Sequence, residues 1–258
     1  MLNLNQKYDL NLIIPCGGIG KRFIDAGYKI SKPFLPLSNS TLLESVILNF
    51  HTHFDNYSHY KINIVLVFKR DYYEIHKKNI NDIINNLCYY DITIKLIDET
   101  EGQLCSVLAT EDVLAKNRGI FIYNNDQLVE DSEWSWNFYH FLRSKEAGGA
   151  ILTFVPEPNN KWSYIKFKKE NVLEVREKEI ISDIATVGCY YFKDWNTLYT
   201  NAKSMIDKNI RVNNEFYVAP VFNEMIKNGD RVVHYLINEM VPLGTPEDYE
   251  KAFKSYLR

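Results

Sequence analysis

The sequence predicts an α/β fold: a mixed, mostly parallel sheet flanked by helices and joined to a smaller antiparallel part. Three observations predict it. In the first half, short apolar, β-branched runs alternate with longer segments of helical period. From Gly148 the texture changes to four strand-like runs separated by short polar turns. Helical period then returns before the carboxyl end.

The first half places strands at Asn11–Pro15, Lys61–Phe68, Ile92–Ile97 and Gly119–Tyr123, with helices at Thr41–Phe54, Arg70–Asn86, Leu104–Ala115 and Ser132–Lys145. This alternation is that of a nucleotide-binding type of unit. In the second half "GGAILTFVP", "WSYIKFK", "NVLEVRE" and "ATVGCYYF" read as strands of a partly antiparallel sheet. Helices follow at about Trp195–Lys208, Asn214–Asn228 and Pro246–Leu257. No repeat, low-complexity tract or Pro/Gly-rich linker divides the chain, so one continuous fold is expected.

Bulk composition removes several classes of function. With 30 Lys+Arg against 33 Asp+Glu the formal charge is −3, which offers no global field for nucleic acid or an anionic membrane. Neither partner is expected, and any phosphate-binding charge must be local. The four cysteines, Cys16, Cys88, Cys105 and Cys189, contain no CxxC pair and no histidine at metal spacing, so neither a zinc site nor a disulfide framework is supported. The amino terminus carries Asn, Gln and Asp where a signal peptide needs an apolar run, and a cytoplasmic protein is expected.

"IIPCGGIGKRF", Ile13 to Phe23, brings three glycines and two cations directly after the first strand. Glycines there let several amide N–H groups converge on one anion. A Walker A loop would need Gly at Pro15 and Ser or Thr at Arg22, and a dinucleotide fingerprint would need Gly at Phe23, so both patterns fail. "ISKPFLPL", Ile30 to Leu37, adds a Lys-Pro pair. Arg22 and Lys32 would suit a triphosphate with a pyrophosphate leaving group. On loop physics alone, a plain glycine turn with solvated charges remains the other reading.

"GGIGKRF…SKPFLPL" resembles the signature of the nucleotidyltransferases that make nucleotide sugars, the sugar-1-phosphate pyrophosphorylases. The resemblance continues through "TEGQLCSVLAT", "IFIYNNDQ" and "VLEVREKEIISDIATVGCYYF". "NNEFYVAPVFNEMI" and "MVPLGTPEDYEKAF" look like the carboxyl-terminal segments of the capsule and surface-polysaccharide subgroup. It implies a Rossmann-like, GT-A-type nucleotidyltransferase fold as one domain, 1–258, with a nucleotide-binding half at about 9–147 and an acceptor-binding half at about 148–258.

By the same resemblance, Pro15, Cys16, Gly17, Gly18, Gly20, Gly102 and Asn125 contact the nucleotide, and Arg22, Lys32 and Asp126 are catalytic. Tyr164, Glu177, Lys178, Gly188 and Glu215 contact the acceptor. Asp126 holds Mg²⁺, with Mn²⁺ the alternative. Family members usually carry a second acidic ligand two residues before a Gly-Thr pair; here that position is Pro242, which leaves Asp248 as the substitute.

The implied reaction is NTP plus a sugar 1-phosphate giving a nucleotide sugar and pyrophosphate, with UTP ahead of CTP. A phosphomonoester has a second pKa near ~6, so the acceptor is already a nucleophilic dianion at neutral pH and needs no dedicated base. Three other readings stay open: a cytidylyltransferase with a non-sugar phosphate acceptor, a GT-A glycosyltransferase, and a non-catalytic nucleotide-binding module.

Each residue also has a structural reading. Asp126 could cap the turn "NNDQ", Asp248 could be a first-turn helix acid, and "REKE" around Glu177 and Lys178 could be a solvated strand end. Trp162 reads as packing, and Glu215 to Tyr217 as the opening of a helix capped by asparagines. The aromatic run "EWSWNFYHFL" reads as a core or subunit face, and Trp134 to Phe141 is the candidate interface of a homo-oligomer.

Overall fold

The computed structural model describes residues 4–18, 20–57, 60–131 and 133–256. After one helical turn, α1 (Leu4–Lys7), the chain enters β1 (Leu10–Pro15), crosses the glycine loop and forms the short α2 (Lys21–Asp25). A 3₁₀ turn at Lys32–Phe34 leads to the two-residue strands β2 (Pro36–Leu37) and β3 (Ser40–Thr41). Three helix–strand units follow: α3 (Leu42–Tyr57) and β4 (Ile62–Lys69), α4 (Arg70–Asn86) and β5 (Ile92–Ile97), α5 (Gln103–Leu108) and β6 (Gly119–Tyr123). β7 (Gln127–Val129) and α6 (Trp134–Ser144) close the first half. The second half carries β8 (Gly149–Phe154), β9 (Ser163–Lys168), β10 (Asn171–Glu177), β11 (Ala185–Phe192), α7 (Trp195–Asp207), α8 (Val221–Lys227), β12 (Val232–Leu236), β13 (Met240–Pro242) and α9 (Pro246–Tyr256).

One nine-stranded sheet runs through both halves in the order β5-β4-β1-β6-β11-β8-β12-β10-β9. β5, β4, β1 and β6 are mutually parallel, whereas β11 runs antiparallel to both β6 and β8. β12 lies parallel to β8, and β10 and β9 form an antiparallel pair at the far edge. The mixed sheet with a smaller antiparallel part is therefore as expected from the sequence.

The pleat sorts alternate side chains onto the two faces. On β1 and β4, Leu12, Ile14, Ile64, Leu66 and Phe68 join a core beneath α3, α4 and α6. Ile13, Val65 and Val67 point the other way, to a core shared with Leu104 of α5, Leu198 of α7 and Phe222 of α8. The helices match these faces: α6 buries Trp134, Ser135, Phe138, Tyr139 and Leu142, a single stripe at helical spacing. The aromatic run is thus chiefly core, with Phe50 edge-on to Trp134 at 5.5 Å, and Trp134 and Phe138 are unavailable to a subunit interface.

α3 starts where a capping box forms: Thr41 N–H donates to the Glu44 carboxylate at 2.6 Å and Glu44 N–H to Thr41 Oγ1 at 3.3 Å. The helix expected over Leu104–Ala115 stops at Leu108 and gives way to a 3₁₀ turn at Glu111–Val113. At its end Thr110 N–H donates to Val107 O at 3.0 Å and the Thr110 hydroxyl donates to the same oxygen at 2.7 Å, and further on Asn11, buried on β1, accepts from Ala115 N–H at 2.9 Å and donates to Ala115 O at 3.0 Å. Both backbone groups of Ala115 are therefore withdrawn from a helical ladder.

The helix expected over Asn214–Asn228 begins only at Val221, after Pro220. Asn213 and Asn214 take φ of +50° and +64°, and Val212 and Glu215 exchange backbone hydrogen bonds of 3.1 and 3.0 Å across them. That is a tight turn of the I′ kind, which requires both central residues left-handed and favours asparagine. Glu215 to Tyr217 consequently form an irregular segment and not a helix start. Ser132 and Leu257, both expected helix ends, lie outside the described residues. Among the described residues no helix is long and apolar enough to cross a membrane.

Candidate active site

Parallel strands deliver their carboxyl ends to one edge, and in open α/β sheets that edge is where ligands bind. The loops after β1 and β6 meet there. Cys16 N–H donates to Val67 O at 2.8 Å, holding the glycine loop against β4. The Cys16 thiol is fully buried, and burial pushes it up to about 12 despite Asn125 and Lys32 nearby, so it stays a thiol behind the loop. Gly20 takes φ +66° before α2, and a Cβ there would meet Lys32 Cβ at 3.2 Å. The missing side chain lets the Lys-Pro segment lie on the glycine loop.

Lys32 therefore reaches inward. Burial lowers the pKa of its ammonium, the Asp126 carboxylate raises it, and Arg22 lowers it. Asp126 follows β6, and its backbone oxygen accepts from Leu243 N–H at 2.7 Å. Gly244 leaves room beside the carboxylate, since a Cβ there would come to 3.4 Å from Oδ2. β7 and β13 pair so that Pro242 sits opposite Gln127, one residue beyond Asp126. The position at which the family's second acid is expected therefore adjoins Asp126 and holds a proline.

A cleft of about 630 Å³ opens over these groups. Of the expected site residues, Gly18, Gly20, Arg22, Lys32, Asn125, Asp126, Glu177, Lys178, Gly188 and Glu215 line it. Pro15, the last residue of β1, and Cys16, Gly17 and Gly102 in the loops lie around the lining without forming it. Five cations, Lys21, Arg22, Lys32, Lys161 and Lys178, face three carboxylates, Asp126, Glu177 and Glu215. Such an excess suits a polyanionic ligand.

β10 ends at Glu177, and both it and Lys178, which follows, line the same cleft. Burial raises the Glu177 carboxyl, while the Ser163 hydroxyl, which donates to it, and Lys178 hold it down. Lys178 occupies φ +59°; its N–H donates to Trp162 O at 3.0 Å and its Nζ donates to the Tyr217 hydroxyl at 2.6 Å. Trp162 lines the cleft as well as packing edge-on against Phe154 at 5.4 Å.

Two expected contacts are corrected. Tyr164 is buried, and its hydroxyl donates to Asn159 O at 2.7 Å while accepting from Asn159 N–H at 3.1 Å. It pins the loop before β9 and does not reach the cleft. Asp248 stands in the first turn of α9, off the cleft lining, with its carboxylate 3.9 Å from Lys161 Nζ.

The sequence does not assign Lys21, Gln103, Asn124, Gln127, Lys161, Ser163, Thr186, Tyr190 or Tyr217 to the site, and all of them line the cleft. Lys21 and Asn124 adjoin assigned residues in "GKR" and "NND", a signal that could have found them. Gln103 Nε2 donates to Asn124 Oδ1 at 2.6 Å, a contact between loops 21 residues apart that no local pattern announces.

Among the described residues no three His, Cys, Asp or Glu side chains gather as a metal cage. One carboxylate in a cation-rich cleft still fits a magnesium-type ion, which keeps several waters and is usually held by one or two carboxylates plus substrate phosphates. Asp126 is the residue that would hold it.

The fold is that of an α/β enzyme, and its cation-rich cleft lies where the parallel strands end. The family model described as Nucleotidyl transferase matches residues 11–258, and the chain belongs to that family. The nucleoside-diphosphate-sugar pyrophosphorylase of Vibrio cholerae RC9 superposes with a TM-score of 0.78 at 22% identity, covering 94% of this chain and 99% of that one. A UDP-glucose pyrophosphorylase complexed with UDP-glucose gives 0.75 at 15% identity, covering 96% and 98%. The inositol-1-phosphate CTP transferase from T. maritima gives 0.68 at 13% identity, covering 95% of each chain. At these identities the likeness is one of fold. No curated protein matches the sequence significantly.

Proposed function

We propose that the protein transfers a nucleoside monophosphate from an NTP, UTP ahead of CTP, to a sugar 1-phosphate, releasing pyrophosphate and forming a nucleotide sugar. The observation that carries this reading is the meeting of Lys32 and Asp126 beside the glycine loop, in a cleft that Glu177 and Lys178 also line. A pyrophosphorylase and a UDP-glucose complex among the structural relatives are in keeping with it.

The acceptor phosphate dianion attacks the α-phosphorus in line. As its oxygen bonds to phosphorus, the bridging bond to the β-phosphate breaks and pyrophosphate leaves with the electron pair. Arg22 and Lys32 neutralise the charge that builds on the leaving group, and amides of the glycine loop hold the phosphates. Lys178 pairs with the acceptor phosphate, and Glu177 accepts hydrogen bonds from the acceptor hydroxyls. Asp126 would hold a divalent ion, Mg²⁺ in this reading, which would add to the charge neutralisation of the triphosphate.

A GT-A glycosyltransferase is less well supported. It would normally use Asp-x-Asp, but the first position is Asn124, whose side-chain oxygen is already bonded to Gln103.

A pyrophosphate-release assay crossing four NTPs with glucose 1-phosphate, inositol 1-phosphate and other sugar and non-sugar phosphates tests the proposal. Release with a pyrimidine NTP and a sugar 1-phosphate is expected. Release only with non-sugar phosphates would move the acceptor class. Silence across the panel, with NTP still bound, would mean a non-catalytic module.

A further inference from the structure

The segment Arg211–Tyr217 is fastened to the loop that precedes α5 by contacts unlike those of an ordinary surface turn. Phe216 N–H donates to Glu101 O at 2.9 Å, and Leu104 N–H donates to Phe216 O at 3.0 Å. Gly102, at φ +131°, lies so close that a Cβ there would stand 2.6 Å from both the nitrogen and the oxygen of Phe216. The Arg211 guanidinium pairs with the Glu101 carboxylate and lies 3.9 Å from the centre of the buried Phe216 ring. The turn at Asn213–Asn214 stiffens the middle of the segment. Its last residue, Tyr217, then receives the Lys178 ammonium, which donates to the phenol oxygen at 2.6 Å and sits 4.5 Å from the ring centre.

Lys178 has unusually little freedom. Its backbone is left-handed at φ +59°, its N–H is bonded to Trp162 O, and its ammonium is held at Tyr217.

From this geometry we infer that Tyr217 is the positioning residue for the Lys178 ammonium, and that the segment carrying it ties the acceptor end of the cleft to the loop around Gly102 on the nucleotide side. The inference rests on the reading of Lys178 as the cation that meets the acceptor phosphate. A bond to a charged donor is stronger than a neutral one, and an ammonium fixed in advance loses less freedom when the phosphate arrives.

The test uses the full chain and its Tyr217→Phe variant, which keeps the ring and removes the hydroxyl. Two readouts are taken. In the first, KM and kcat are measured with UTP or CTP against glucose 1-phosphate and inositol 1-phosphate. The expected result is an acceptor KM raised by about tenfold with the NTP KM unchanged within about twofold, the size of losing one bond to a charged group. In the second, pyridoxal 5′-phosphate labels lysines: the amine condenses with the aldehyde, water leaves, and added borohydride reduces the imine to a secondary amine that peptide mapping locates. Labelling of Lys178 relative to Lys161, which faces the same cleft, should rise in Tyr217→Phe and, to a smaller degree, in Arg211→Gln, which unfastens the segment without altering the cleft wall.

An active wild type whose acceptor KM and labelling ratio are both unmoved by Tyr217→Phe overturns the inference and leaves the proposed function standing. A wild type silent across the whole panel of NTPs and phosphorylated acceptors, with the labelling ratio still raised by Tyr217→Phe, removes the proposed function and leaves the positioning of Lys178 intact.

Discussion

Gly188 and Asn124 touch so closely that a Cβ on the glycine would lie 2.5 Å from Asn124 Nδ2. Gly188 sits in β11 at φ +87°, where the pairing with β8 shifts register between Thr186 and Tyr190, and its oxygen accepts from Asn124 N–H at 2.9 Å. The contact sets where the chain leaves β6, and so where Asn125 and Asp126 stand. Gly188→Ala is expected to destabilise the protein by about 2–4 kcal/mol, from backbone strain plus overlap, and to lower turnover. Denaturant unfolding checks the first and pyrophosphate release the second; an unchanged midpoint would mean that the contact is soft.

The capping box of α3 lies away from the cleft and should separate stability from function. Thr41→Ala removes the acceptor of Glu44 N–H and should cost about 1 kcal/mol with kcat and KM unchanged. A loss of activity at temperatures where the variant is folded would show that α3 does more than support the sheet.

Lys32 makes the nucleotide affinity pH-dependent in a definite direction. In the free protein, burial depresses its pKa against the pull of Asp126, and a bound triphosphate raises it again. Between those two values binding takes up a proton, and affinity falls as pH rises through the lower one. Calorimetry of UTP binding through the alkaline range below the ordinary lysine value, in two buffers of different ionisation enthalpy, should show uptake in the wild type and none in Lys32→Arg, whose guanidinium stays charged.

Glu177 should trade stability for function. Its folded pKa is raised by burial above the ordinary 4.5, so the folded chain holds that proton more tightly than the unfolded one. The associated stability is present below 4.5 and is lost as pH rises through the folded value, leaving a buried carboxylate that weakens the protein at neutral pH. Glu177→Gln, which can still accept from Ser163, is expected to raise Tm at pH ~7, to lose that advantage in acid and to raise the acceptor KM. Equal Tm values at both pH values would place the carboxylate in water.

Regular periodicity makes much of this molecule legible from its residues alone. The apolar runs of β1 and β4 and the full length of α4 follow directly from period two and period 3.6. The segments that depart from expectation share one cause, a non-local or side-chain partner that outweighs local pattern. "NNEFYVAPVFNEMI" carries helical spacing, yet two left-handed asparagines turn its start into a tight turn. Asn11 holds Ala115, where the α5 segment is expected to end, from a strand 104 residues away. β12 and β13 are short, and their pairings with β8 and β7 become visible only when the sheet is assembled.

Much of the cleft lining is readable for the same reason. Gly18, Gly20, Arg22, Lys32 and Asp126 stand in local loops and just past a strand end, and all of them line the cleft. Glu177, Lys178, Gly188 and Glu215 are legible as well and line the cleft, whereas Tyr217, Ser163 and Gln103 join the lining through contacts with residues remote in sequence. Tyr164 resembles a wall residue by its strand neighbours, but the pleat turns it inward to Asn159.

The most direct test of the account follows the phosphorus atoms. Wild-type protein is incubated with Mg²⁺, glucose 1-phosphate and UTP labelled either at the α- or at the γ-phosphorus, and the products are separated. The account predicts α-label in a nucleotide sugar and γ-label in pyrophosphate, with both lost in Asp126→Ala while the variant remains folded. Label passing from the γ-position to the acceptor or to inorganic phosphate, or undiminished transfer in Asp126→Ala, would contradict it.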